Sequence, residues 1–261
     1  MTEKGVRQGP GWQLFDHDPS TATWAAAALE PACAATADPE LRARWLDCDG
    51  TWFVGVDALP NAPDGSIAGT SLAGTVIDHL CPLPPLHPAQ LSVTYPGYPR
   101  PRRGEGEAAF RYRLRRDAAH VDGVTRHGPD RRRCATEPHA FILGLPLTLC
   151  DPGASPLVVW EGSHEIMRKA LAARFAGVPE TERPDVDVTE VYQAARRHCF
   201  ETCRRVEITA RPGEAILLHR LLLHGVAPWR DGAKAPPEGR MIAYFRPQLP
   251  GGISDWLSSE N

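Results

Sequence analysis

Apolar and polar positions divide the chain into a helical N-terminal part and a longer part with the pattern of strands. The first 50 residues are rich in helix formers, as in TATWAAAALE and PELRARWLD, and Pro31 and Pro39 punctuate them. From residue 51, strand-like segments such as TWFVGVDAL alternate with loops that are dense in Pro and Gly. We therefore predict that residues 1–50 form a helical support and that residues 51–247 form a β-rich core.

The core region contains several strand candidates and one helical insertion. HAFILGLPLTL and PLVVWEGSH are apolar runs, and CRRVEITARPGEAILLHRLLLHGVAPW predicts two strands around a Pro212–Gly213 turn. Two amphipathic segments predict a helical insertion at about residues 163–205. Short strands, turn signals and flanking helices favour a mainly β fold whose core is a jelly roll, or double-stranded β-helix of the cupin type. We predict that residues 1–261 form a single domain.

Composition and charge narrow the class of protein only slightly. The 261 residues are 42% hydrophobic and 23% charged, which is ordinary for a folded protein. The net charge of -3 argues neither for nor against nucleic acid, and no nucleic-acid partner is predicted. No run approaches the ~18 apolar residues of a membrane span, and the N-terminus lacks the apolar region of a secretory signal. Seven cysteines without a CxxC pair favour reduced thiols and a cytoplasmic location.

His120 and Asp122 are the first residues whose spacing suggests chemistry. On a strand, positions i and i+2 project from one face, so an imidazole and a carboxylate could take adjacent positions on one metal. The triplet alone is a weak signal. His224 ends an apolar strand and precedes Gly225, which makes it a candidate for the third ligand. Two histidines and one carboxylate occur in non-haem Fe(II) oxygenases and also in zinc hydrolases, so the ligand types leave the metal open.

Five segments resemble the phytanoyl-CoA dioxygenase-like family of 2-oxoglutarate oxygenases over about residues 108–247. These segments are HVDG (120–123), PLVVWEGSH (156–164), PGEAILLH (212–219), LHG (223–225) and GRMIAYFRP (239–247). The resemblance implies Fe(II) held by His120, Asp122 and His224, with 2-oxoglutarate as cosubstrate and O2 as oxidant. It also implies that catalysis is centred on the iron and needs no catalytic residue beyond the ligands.

The resemblance further implies that an arginine in the strand after His224 binds the remote carboxylate of 2-oxoglutarate. A guanidinium can hold a carboxylate with two parallel hydrogen bonds. Arg240 is the preferred candidate. Arg246 remains an alternative, because it lies on the same face of that strand and the preceding loop, WRDGAKAPPEG, is long.

An arginine-rich segment, residues 100–133, is the candidate for substrate recognition. We expect Arg113 and Arg116 to lie on a strand that leads to His120, and Trp229 to lie close to the site. If such arginines face the cavity, they favour an anionic substrate. The alternative is a solvated face with scattered ion pairs.

The sequence thus predicts an Fe(II)/2-oxoglutarate-dependent dioxygenase that hydroxylates a small molecule. A zinc-dependent hydrolase on the same fold and a catalytically silent jelly-roll binding protein remain alternatives.

Overall fold

The computed structural model describes residues 9–258, so the predictions for residues 1–8 and 259–261 lie outside the described part of the chain. Its strands are β1 (Trp12–Phe15), β2 (Leu46–Asp47), β3 (Trp52–Gly55), β4 (Gln90–Thr94), β5 (Val124–His127), β6 (Arg132–Ala135), β7 (Phe141–Pro146), β8 (Leu157–Trp160), β9 (Arg205–Ile208), β10 (Ala215–His219), β11 (His224–Val226) and β12 (Arg240–Phe245). Its helices are α1 (Pro19–Ala37), α2 (Pro39–Trp45), α3 (Thr75–Leu80), α4 (Glu107–Arg115), α5 (Ser163–Phe175), α6 (Thr189–Thr202) and α7 (Gly252–Leu257), with a 3₁₀ helix at Glu180–Asp185.

The strands form two layers of the sandwich that the sequence predicts. The major sheet has seven strands in the order β1-β10-β7-β12-β4-β3-β2, and the minor sheet has three in the order β11-β8-β9. All of their pairings are antiparallel. Strand order jumps along the chain, as in a jelly roll rather than a meander. The prediction of a mainly β fold with flanking helices is confirmed.

Three apolar clusters hold the layers together. Ile142, Ile216 and Ile242 of the major sheet pack with Leu157 and Val159 of the minor sheet, and this cluster fills the space between the sheets. A second cluster joins the outer face of the major sheet to α1, and a third joins the minor sheet to α5, α6 and α7. Because helices cover both outer faces, strands β8, β10 and β12 are buried along their whole length, which explains their continuous apolar sequences.

The N-terminal segment contributes to the sheet as well as supporting it. Residues 9–50 contain α1 and α2, but β1 also lies in this segment and pairs with β10 at the edge of the major sheet. Asp18 accepts hydrogen bonds from the backbone N–H groups of Ser20 and Thr21 at the start of α1. The same carboxylate accepts two more from Thr75, at the start of α3. One side chain therefore caps α1 and ties it to α3.

The segment before His120 is a helix, so the prediction that Arg113 and Arg116 lie on a strand is wrong. Residues 107–115 form α4, and Arg116 ends it by donating its backbone N–H to the carbonyl of Tyr112. The alternation in AFRYRLRR is too short to specify a strand, and the acidic first turn and basic last turn suit a helix dipole.

In residues 9–258, no helix has both the length and the apolar character that crossing a membrane would require.

Candidate metal centre

Two segments that are far apart in the sequence meet at one end of the sandwich and bring His120, Asp122 and His224 together. The backbone N–H of His120 donates to the carbonyl of His224 at 2.8 Å, and the reverse hydrogen bond measures 3.0 Å. Residues directly opposite in an antiparallel pair project from the same face, so the two imidazoles lie side by side, with ring centroids 4.7 Å apart. Asp122 follows two residues after His120.

The potential ligand atoms of these three residues converge on one point. Asp122 Oδ1 lies 3.2 Å from Nε2 of His120 and 3.7 Å from Nε2 of His224. One ligand atom from each residue lies within 4.8 Å of the other two. Within residues 9–258, these three residues are the one group of three or more His, Cys, Asp or Glu side chains that could hold a metal ion.

Hydrogen bonds hold both imidazoles in the form that a metal requires. Nδ1 of His120 lies 3.1 Å from the carbonyl of Ala118, and Nδ1 of His224 lies 2.9 Å from the carbonyl of Leu222. A carbonyl can only accept, so each Nδ1 carries the proton and each Nε2 presents a lone pair to the shared point. Such contacts fix both the tautomer and the orientation of metal-bound histidines.

The charge states of the buried groups also suit metal binding. Burial lowers the pKa of His224 to about 4, which keeps the ring neutral near pH 7. Burial opposes ionisation of Asp122, but its polar neighbours, including the permanently charged Arg246 guanidinium, outweigh this effect and hold the pKa of Asp122 well below its usual value. A neutral imidazole and an ionised carboxylate are the forms that bind metal. The residues therefore fit a divalent cation with hard or borderline preferences, such as Fe(II) or Zn(II).

A cavity of about 120 Å³ opens beside these three residues, between the sheets, and is called the metal cavity below. Its other lining residues are Trp52, Val54, Gln90, Ser92, Ile142, Leu157, Gly225, Val226, Tyr244 and Arg246. Of the described residues in this lining, Asp122 is the sole carboxylate and Arg246 the sole permanently charged cation. Apolar side chains make up much of the rest of the lining, although the His120 side chain is 45% exposed.

Arg246 is engaged with Asp122 rather than free to bind a second carboxylate. Its Nη1 lies 3.3 Å from Oδ2 of Asp122, and its Nη2 donates to Oε1 of Gln90 at 2.7 Å. Arg246 therefore holds one oxygen of Asp122 and leaves Oδ1 directed at the histidines. Its role in this arrangement is to position the carboxylate.

Arg240 lies deeper in the same face of β12 and lacks a complete set of partners. Its Nη1 is buried without a hydrogen-bond partner, and so is Oγ1 of Thr94, which lies opposite Arg240 in the pairing of β12 with β4. Arg240 does not itself line the metal cavity, whereas Tyr244, on the same face of β12, does. Burial raises the pKa of Tyr244, and the nearby Arg240 guanidinium opposes that rise. A buried guanidinium and an unpaired hydroxyl on one face form a cradle for a carboxylate.

The three candidates for substrate binding lie elsewhere. Arg113 is buried in an ion pair with Glu105, and the Arg116 guanidinium stacks over Phe200, 4.6 Å from the ring centroid. Trp229 packs behind the cavity wall, in an apolar cluster with Tyr98 and the lining residue Val226, and donates its indole N–H to the carbonyl of Ala233. None of the three lines the metal cavity.

Sequence reasoning missed the contributions of β3 and β4 to the site. Trp52, Gln90, Ser92 and Thr94 come from these strands, which pair with each other and, through β4, with β12. The residues QLSVT place polar side chains at alternate positions of a strand that is otherwise buried. A polar alternation within a buried strand is the signal that could have identified them.

Comparisons with known proteins find similarity among solved structures. No family model matches the chain, and no curated protein matches it. The non-haem α-ketoglutarate-dependent carbocyclase SnoK from nogalamycin biosynthesis shares 14% identity at a TM-score of 0.47, over 98% of this chain and 88% of SnoK. EctD from S. alaskensis with bound Fe shares 16% at 0.45, over 97% and 81%. AviO1 from Streptomyces viridochromogenes Tue57 shares 13% at 0.41, over 95% and 94%. These similarities are too distant to assign an activity.

Proposed function

We propose that this protein is an Fe(II)/2-oxoglutarate-dependent dioxygenase that hydroxylates a small-molecule substrate. The observation that supports this most directly is the convergence of two Nε2 lone pairs and one carboxylate oxygen on a single point beside a cavity. A set of two histidines and one carboxylate on one face of a metal leaves positions open for cosubstrate and O2.

Different residues of the chain would bind the iron, orient its ligands and bind the cosubstrate. His120, Asp122 and His224 would hold the iron, and Arg246 keeps Asp122 in place. Arg240 and Thr94 would bind the remote carboxylate of 2-oxoglutarate, since both have buried polar atoms without partners. The bound Fe(II) and 2-oxoglutarate supply the oxidising power for C–H hydroxylation, with O2 as oxidant.

The lining of the cavity favours this reading over a zinc hydrolase. A hydrolase of that type needs a general base that activates the attacking water. Among the described lining residues, Asp122 is the only carboxylate. Asp122 and both histidines direct their ligand atoms at the position that the metal would take, so none of them is free to act as the base. Ile142, Leu157 and Val226 suit a site that excludes water around a reactive oxidant.

The substrate is a small molecule in this proposal, but Arg113 and Arg116 do not set its charge. Both arginines are engaged in other contacts, so the expectation of an anionic substrate loses the two arginines named for it.

Anaerobic spectroscopy and product analysis test the proposal together. Adding Fe(II) and then 2-oxoglutarate should produce the weak visible charge-transfer band of a chelated complex, and Zn(II) should not. On exposure to O2, the protein should form succinate, and a substrate should stimulate that formation. His224→Ala should remove both signals, while His198→Ala, at an exposed position of α6, should keep them. Absence of the band together with Zn-dependent hydrolysis would favour the hydrolase instead.

A further inference from the structure

Two arginines face each other on the hairpin that follows the proposed metal ligands. The β5–β6 hairpin begins two residues after Asp122, and its register places Arg126 directly opposite Arg133. Like charges at directly opposite positions of an antiparallel pair destabilise the pair. This arrangement therefore costs the isolated hairpin free energy.

A third arginine from α6 joins this pair. The Arg133 guanidinium stacks over Tyr192, 4.6 Å from the ring centroid, and Arg196 stacks over Tyr112 at 4.6 Å and over Tyr192 at 5.4 Å. The Nε of Arg196 is buried without a hydrogen-bond partner. The tyrosine rings hold these guanidinium groups in place, so an anion could bind with little further ordering.

The described residues supply no carboxylate partner for Arg126, Arg133 or Arg196. Other arginines of the chain do have such partners, for example Arg113 with Glu105. Burial lowers the pKa of both Arg126 and Arg133, and the positive charges of Arg133, Arg131 and Arg196 lower the pKa of Arg126 further. Among residues 9–258, no carboxylate therefore forms an ion pair with this concentration of positive charge.

We propose that Arg126, Arg133 and Arg196 form a binding site for a small soluble ligand that carries a diphosphate or a similar multiply charged phosphate group. Neighbouring guanidinium groups without a carboxylate partner match the several oxygens and high charge of such a group. A single carboxylate would leave most of these donors unused. This site is separate from the metal cavity, whose lining includes none of the three arginines.

The site lies directly behind the segment that carries the proposed metal ligands. The Tyr192 hydroxyl accepts a hydrogen bond from the backbone N–H of Val121 at 3.1 Å, and the Tyr112 hydroxyl donates to the carbonyl of Ala119 at 2.7 Å. The two tyrosines under the arginines therefore hold the backbone on both sides of His120. A bound anion would order the same tyrosines.

Calorimetric titration with inorganic pyrophosphate, without added metal, tests the proposal. The wild-type protein should bind pyrophosphate at low ionic strength, and the affinity should fall as salt is added. Arg133→Gln and Arg196→Gln should each weaken binding by about tenfold or more, since each removes a charge-assisted contact. Arg197→Gln is the matched control, because it removes the same charge from an exposed neighbour on α6 and should leave binding unchanged.

Thermal unfolding separates a ligand site from a structural cluster. Without pyrophosphate, Arg126→Gln should not lower Tm, because it relieves repulsion across the hairpin. With pyrophosphate, the wild-type Tm should rise and the Arg126→Gln Tm should rise less. A lower Tm for Arg126→Gln without ligand would overturn the proposal. So would wild-type protein that does not bind pyrophosphate, or Arg133→Gln and Arg196→Gln variants that bind as tightly as wild type.

Vesicles of anionic phospholipid provide a second arm, because a lipid headgroup also presents phosphate. The proposed ligand is soluble, so free pyrophosphate should compete for the site and vesicles should not bind more tightly to the wild type than to Arg133→Gln. Binding of the vesicles without binding of pyrophosphate would contradict the proposal.

Discussion

The carbonyl oxygen of Asp117 occupies the space in which a side chain at Gly225 would begin. An added Cβ at Gly225 would overlap that oxygen and would lie 3.2 Å from the Cα of Ala119. Gly123 is similar, because an added Cβ would overlap the carbonyl oxygen of Glu137 and its φ is +83°. Each glycine directly follows a proposed metal ligand. The HVDG and LHG motifs thus end in glycine because other backbone segments pack against them.

Substituting Gly225 should therefore damage both stability and metal binding. In Gly225→Ala, the new methyl group would push the Asp117 backbone away and strain the hydrogen bonds that pair His224 with His120. We expect a loss of roughly 1–3 kcal/mol in the free energy of unfolding, as is usual for an overpacked site. Urea unfolding of the metal-free protein measures this loss.

Gly106→Ala is the control for that substitution. An added Cβ at Gly106 would meet nothing within 4 Å, and its φ of -72° suits any residue. This variant should lose no more than about 1 kcal/mol, because Gly106 is the N-cap residue of α4 and Gly is preferred over Ala at that position. If Gly225→Ala is equally mild, the Asp117 backbone must be able to move away from residue 225 at little cost, which contradicts the prediction.

Removing any one of the three ligands should reduce Fe(II) affinity. His224→Ala and Asp122→Ala each delete a donor from a set of three, and Asp122→Ala also leaves the Arg246 guanidinium without its carboxylate partner. We expect affinity to fall by at least about a hundredfold, since even the loss of a residue that only supports a metal ligand costs about ten- to a hundredfold. Anaerobic titration with Fe(II) measures it. Retention of full affinity in both variants would refute the ligand assignment.

The sequence was sufficient to propose the ligands but not the surfaces around them. His120, Asp122 and His224 could be proposed because spacing, a strand end and family resemblance all pointed to them. Thr94 could not, because its relevance depends on lying opposite Arg240 in a pairing between strands that are far apart in sequence. Strand pairing of this kind is set by the packing of whole sheets, which local residue patterns do not encode.

Arg113 shows a second limit of the sequence, because a short local pattern can predict the wrong secondary structure. Its local sequence alternates over a few residues and so predicts a strand, although the same residues form a helix. Short segments of this kind satisfy both periodicities, and tertiary packing decides between them. The ion pair with Glu105 then removes Arg113 from the site.

Tyr192 should influence metal binding although it contacts no metal ligand side chain. In Tyr192→Phe, the backbone N–H of Val121 loses its acceptor in a buried position. An unsatisfied buried donor costs about 1–3 kcal/mol, so we expect lower Tm and weaker Fe(II) binding. Tyr112→Phe should be milder, because it leaves the carbonyl of Ala119 unpaired and carbonyls tolerate this better than N–H groups. Equal effects of the two variants would contradict this ranking.

The stability of the N-terminal helices should depend on the ionisation of Asp18. Hydrogen bonds from Thr75, and to a lesser extent from Ser20 and Thr21, lower the pKa of Asp18 from 3.8 to about 2. The unfolded state therefore takes up a proton before the folded state does, so the contribution is complete above about pH 4 and is lost as pH falls toward 2. The Tm difference between the wild type and Asp18→Asn should accordingly shrink over this range. A difference that stays constant would show that Asp18 acts without its charge.

Arg240 and Arg246 should respond differently to the same substitution. Arg240→Gln should weaken 2-oxoglutarate binding by about ten- to a hundredfold while Fe(II) binding stays near normal, because its unpaired Nη1 is available to a carboxylate. Arg246→Gln should instead weaken Fe(II) binding, because Asp122 loses the contact that orients it. Titrating Fe(II) first and 2-oxoglutarate second, both anaerobically, separates the two effects in each variant. If Arg246→Gln shows the larger loss of 2-oxoglutarate affinity with iron binding intact, then Arg246 is the anchor, and its contact with Asp122 must break when the cosubstrate binds.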